Sequence, residues 1–127
     1  MSVGAAISKA EALLPGQPAP EGASDPRWQA IIEVSEFIEQ EPEEVWRFAR
    51  RWGANEHEDV RNAIATCVLE HLLERHFDLL FKRVETAAKE DARFLDTLRQ
   101  CWKFGQSQMP KNAKRLDNLL KEAGRAN

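Results

Sequence analysis

The 127-residue sequence has no apolar run approaching the roughly 20 residues that a membrane-spanning helix requires. Its start, MSVGAAISKAEALLPG, lacks the basic segment and the strong apolar stretch of a secretory signal. A cytoplasmic protein that makes no use of a membrane is therefore expected. Cysteine is scarce: Cys67 and Cys101 both fall on apolar helix faces, where a thiol usually behaves as a small buried hydrophobe, and neither demands a disulfide. There is no glycine-rich phosphate loop, no Ser-His-Asp signature and no H-E-x-x-H arrangement. These gaps count against an enzyme, and no cofactor is expected.

Charge is plentiful but unevenly distributed. Residues 1–58 carry five basic and eleven acidic side chains, residues 59–127 thirteen and ten, and the last part, 99–127, seven and two. One end is acidic and the other basic, which suggests an electrostatic partner for one of them.

Residues 15–24, PGQPAPEGAS, hold three prolines and two glycines and read as a linker. Before it, residues 1–14 form a separate segment in which Val3, Ile7, Ala10 and Leu14 could make a short helix. From residue 25 to 127 the pattern is helical nearly throughout. Asp25-Pro26 starts one helix running to Gln40; Pro42, Glu43 and Glu44 open a second, which Gly53 ends. A third spans about Glu58 to Arg75, and a fourth carries Phe77, Leu80, Phe81, Val84 and Ala88. A fifth, from about Asp91 to Phe104, presents Phe94, Leu95, Leu98, Cys101 and Trp102; a sixth presents Ala113, Leu116, Leu119, Leu120 and Ala123. Helices separated by so few residues pack as hairpins. Their starts near Pro26, Asp59 and Ala92 recur at about 33 residues, and an offset of 34 aligns Ala30 with Ile64 and Leu98, and Val34 with Val68 and Trp102. The expected fold is all-α, three consecutive antiparallel helical hairpins in a short right-handed solenoid, plus an N-terminal helix.

The stretch EHEDVRNAIATCVLEHLL resembles the first helix of a HEAT-type repeat. Asp59, Val60, Arg61, Ala63, Ile64 and Cys67 occupy the matching positions. The resemblance implies that Asp59 and Arg61 are architectural and tie neighbouring repeats together. RRWGANEHEDVRNAIA is further similar to a repeat of the HEAT-like alkylpurine DNA glycosylases, although Asn62 stands where that pattern has a second basic residue. This similarity implies nucleic-acid binding as the alternative to a non-catalytic protein-interaction scaffold.

Four groups of residues remain as candidates. Trp46 lies on the flank of its helix with Arg50 one turn later, and tryptophan and arginine dominate interface energetics, so these two are the expected anchors for a protein or peptide. Lys111, Lys114, Lys121 and Arg125 recur at helical spacing as a basic stripe suited to phosphates or an acidic partner. Cys67, His71 and Glu74 share a stripe at i, i+4 and i+7 and are all legitimate metal ligands, but they need a fourth ligand from elsewhere. They are more simply a core thiol, a histidine at the core edge and a solvated glutamate. His57 and His76 mark helix ends, where solvent exposure is expected.

Overall fold

A computed structural model describes residues 1–126, with side chains through Gly124. Among the described residues every regular element is helical. In chain order these are α1 (Val3–Leu13), α2 (Pro26–Ser35), α3 (Pro42–Trp52), α4 (Glu58–Ile64), a π-helical segment (Ala65–Leu69), α5 (Glu70–Arg75), α6 (Phe77–Glu90), α7 (Ala92–Arg99), a 3-10 turn (Gly105–Gln108) and α8 (Pro110–Ala126). No helix is long and apolar enough to cross a membrane.

Local chemistry sets most of the boundaries. The Asp25 carboxylate accepts the Arg27 backbone N–H at 2.9 Å and caps α2, with proline in the first turn. Asp91 caps α7 in the same way, through Arg93 and Phe94 N–H at 2.9 and 3.1 Å. In α3, Glu43 and Glu44 sit in the first turn and Arg50 and Arg51 in the last, which complements the helix dipole at both ends.

Two helices stop earlier than their periodicity predicts. α2 ends at Ser35 rather than Gln40, because Glu36 and Phe37 N–H turn back onto Glu33 and Val34 carbonyls and tighten the last turn. That turn buries Ile38 and aims its carbonyl at His76 Nε2, 2.9 Å away. His76, expected in solvent, is half-buried by this contact. α7 ends at Arg99 rather than Phe104.

α4, the π segment and α5 form one central helical stretch. Val60, Ala63, Ile64, Ala65, Val68, Leu69, Leu72 and Leu73 are all buried, so apolar side chains cover most of its circumference. Polar pairs join it to both neighbours. Arg61 reaches Asp96 of α7 at 3.0 Å, and Asn62 reaches Gln100 at 2.8 Å. Asp59 lies 2.8 Å from the Arg27 guanidinium of α2, which also meets Asp25 at 2.8 Å and donates to the Pro15 carbonyl at 2.7 Å. The Arg27 side chain, with help from the Arg27 backbone N–H, holds the Asp25 carboxyl below the usual carboxylate range against the opposing effect of burial. Arg27, only 6% exposed, therefore joins the linker, the α2 cap and the central helix.

The N-terminal segment shares the same core. Ala6 and Ala10 are fully buried, Lys9 pairs with Glu33 at 3.0 Å, and Glu11 accepts both the Trp52 indole N–H and Arg51 at 2.9 Å. At the other end, the Arg115 guanidinium lies over the Phe81 ring at 4.4 Å and fixes α8 against α6.

Replacing Arg27 would strand the Asp25 carboxylate and the Pro15 carbonyl together. Arg27→Ala is expected to lower unfolding free energy by on the order of 2–4 kcal/mol, less than a wholly buried pair because Asp59 is partly exposed. Urea denaturation of the two proteins measures the difference.

Candidate functional site

The central stretch contains one buried carboxylate. Glu70 N–H bonds to the Ala65 carbonyl five residues back, closing the π turn. The extra residue shifts the helical face, and the Glu70 side chain turns inward to 5% exposure. A buried carboxylate requires donors. Glu70 Oε1 takes the Trp102 backbone N–H at 3.2 Å, and Oε2 lies 3.8 Å from His71 Nε2.

That bond explains where α7 stops. Gln100 and Cys101 N–H return to Thr97 and Leu98 in a tight last turn; the next N–H, that of Trp102, leaves the helix for Glu70. The connection to α8 then crosses the end of α5. Gly105, at φ +49, passes so close that a Cβ there would meet Glu74 Cγ at 2.8 Å. The Gln106 side chain accepts Phe77 N–H at 2.9 Å and donates to the Arg75 carbonyl at 2.8 Å, satisfying the facing ends of α6 and α5.

Trp102 is consequently not the core residue that the 34-residue offset implies. It is 72% exposed, while the residues around it are held: Cys101 Sγ is 3.6 Å from the Ala65 carbonyl, Lys103 pairs with Asp117 at 2.8 Å, and Phe104 stacks on His71 at 5.9 Å. Beside the indole lies a narrow cleft lined by Leu73, Leu98, Leu116 and Leu120, with the buried Ser107 hydroxyl unpartnered in it.

The candidates named from the sequence are distributed differently. Trp46 is 7% exposed and packs edge-on against Phe94 at 5.8 Å, so it supplies the floor of a groove rather than a protruding anchor. Arg50 does line that groove, with its guanidinium 5.4 Å from the Phe94 ring centre. Lys111, Lys114 and Lys121 are exposed on α8; the side chain of Arg125 lies outside the described residues. Asp59 and Arg61 bridge neighbouring helices, as above.

Cys67, His71 and Glu74 do not assemble. His71 Nδ1 meets Glu74 Oε1 at 2.8 Å, whereas the polar neighbour of Cys67 is Thr66 Oγ1 at 4.0 Å. Among the described residues no group of three metal-capable side chains forms. Both cysteines are half-buried. Burial pushes both thiols up from their ordinary range, Cys101 strongly, which keeps them protonated and poorly nucleophilic at neutral pH.

A family model matches residues 17–123, from the linker to the end of the α8 core contacts. The chain belongs to DUF6869, a family of unknown function. No curated protein and no solved structure matches it. In this DUF6869 chain, Trp102 and Glu70 are the residues that sequence reasoning missed. Trp102 continues an apolar stripe in the sequence, and nothing local marks the bond that breaks the helix. Glu70 reads as a solvated glutamate unless the π turn is known.

Burial raises the Glu70 carboxyl above the ordinary glutamate range; the Trp102 N–H and His71 oppose the rise, and Glu74 adds to it. A raised value means that the folded chain binds this proton more tightly than the unfolded chain. Its contribution to stability is present at low pH and is lost as pH rises through the folded-state value. Glu70→Gln keeps the shape and an acceptor for Trp102 N–H, so it is expected to be more stable than the parent at neutral pH. The advantage should shrink as pH falls into the ordinary glutamate range, which urea midpoints between about pH 4 and 8 would show.

Proposed function

We propose that the chain is a non-catalytic protein-interaction module of HEAT-like helical pairs that presents Trp102 to a protein partner. The exposed Trp102 indole carries this reading. A tryptophan side chain buries about 150–250 Å², so at roughly 25 cal/mol per Å² the exposed share is worth on the order of 3–4 kcal/mol to a complementary surface. Holding Cys101, Lys103 and Phe104 in place lowers the ordering cost of binding, because the backbone that carries the indole is already fixed.

The repeat architecture is supported by contacts between successive helical pairs. Arg27 meets Asp59, Arg61 meets Asp96 and Glu43 meets Arg83, each linking one pair to the next. Asp59 reaches back and Arg61 forward, the roles that the HEAT resemblance assigns to them. In such an array a binding residue sits on a rigid frame of stacked pairs.

Nucleic-acid binding has weaker support. It would rest mainly on Lys111, Lys114 and Lys121, because Lys103 is engaged by Asp117 and Arg115 by the aromatic rings of α6. Asp117 and Glu122 interrupt the basic field on the same helix, and the chain as a whole is at −3.

The test compares Trp102→Ala with Leu79→Ala, which removes another exposed apolar side chain, 47% exposed on α6. Both variants should keep their stability to within about 0.5 kcal/mol. In quantitative affinity purification from the source cells, Trp102→Ala is expected to lose partners at least tenfold and Leu79→Ala to retain them. Equal recovery by the parent and Trp102→Ala would overturn the assignment.

A further inference from the structure

A second surface, distinct from that of Trp102, lies between α3 and α6. Trp46, Arg50, Lys82, Arg83, Thr86, Ala87 and Glu90 enclose an open groove of about 290 Å³. Trp46 and Ala87, both buried, form an apolar floor. Arg83 is neutralised by Glu43 at 2.9 Å. Arg50 and Lys82 have no carboxylate within salt-bridge distance among the described residues, although most other arginines of the fold have one. Arg50 is additionally oriented by the Phe94 face.

The Glu43–Arg83 pair sets the register of the two helices. Glu43 and Arg50 are two turns apart on α3, as Arg83 and Glu90 are on α6; since Arg50 and Glu90 line the same groove, Arg50 lies toward the Glu90 end and Lys82 toward the other. At 1.5 Å per helical residue the backbone positions that carry the two free cations are offset by about 12 Å along the groove. An extended peptide advances about 3.3 Å per residue, so side chains four positions apart are about 13 Å apart, close to that offset, and point to the same face.

We propose that the α3–α6 groove binds an extended acidic peptide whose two carboxylates, four residues apart, pair with Arg50 and Lys82. The intervening small or apolar side chain rests on Trp46 and Ala87. Glu90 stands beside the Arg50 end and disfavours further acidic residues beyond it. This site does not depend on Trp102, so the two readings fail separately.

The full chain, labelled with 15N, is titrated at low salt with the acetylated, amidated peptide Glu-Ala-Leu-Ala-Glu and followed by amide shifts. Saturable changes centred on Thr86, Ala87 and the Trp46 indole N–H are expected. The glutamine analogue and a peptide with adjacent glutamates should bind at least tenfold more weakly. Arg50→Gln and Lys82→Gln each weaken binding about tenfold, whereas Lys111→Gln and Trp102→Ala leave it unchanged. Absence of saturable binding, shifts centred on α8, equal binding of the glutamine peptide, or stronger displacement by an oligonucleotide than by free glutamate-rich peptide would overturn the assignment.

Discussion

Glu70 is a carboxylate inside a helix that the rest of the fold surrounds. The central stretch needs apolar side chains on nearly every side, and the π turn at Ala65–Leu69 swings Glu70 into that environment. An ionised group there needs a donor, and the geometry provides a backbone N–H from the segment that follows α7. One bond therefore has two consequences. It compensates the buried charge, and it draws residue 102 out of α7, so that the connection to α8 begins with a fixed and exposed indole.

The neighbouring contacts follow from that departure. Once the chain leaves α7 it must cross the end of α5, which Gly105 permits by lying against Glu74. Gln106 then satisfies the facing ends of α5 and α6, and Ser107 is drawn into the cleft beneath. His71, which in the sequence resembles part of a metal or catalytic cluster, is occupied between Glu70 and Glu74 and supports Phe104. The polar residues of the central stretch thus serve mainly to shape the surface above them.

Much of the helical layout is legible in the sequence because capping and amphipathic spacing are local. Asp25-Pro26, Pro42 with two glutamates, Gly53 and Asp91 mark boundaries through bonds within a few residues of themselves. Arg27 is different: its partners Asp25, Asp59 and Pro15 are brought together by tertiary packing, and its sequence context is that of a solvated helix arginine. Trp102 departs from its sequence pattern for the opposite reason. Its spacing from Leu98 is that of a core stripe, and only the remote Glu70 decides that the stripe ends. Trp46 and Trp102 accordingly exchange the roles that periodicity gives them, the flanking residue becoming floor and the core residue becoming surface.

The bond from Trp102 to Glu70 can be observed directly by hydrogen exchange of the Trp102 backbone amide, resolved by NMR. In the parent protein this amide should exchange slowly, despite lying in a connection with an exposed side chain, and in Glu70→Ala it should exchange much faster while the Leu80 amide of α6 stays protected. Exchange of the Trp102 amide at the rate of an unstructured loop in the parent protein would contradict the account.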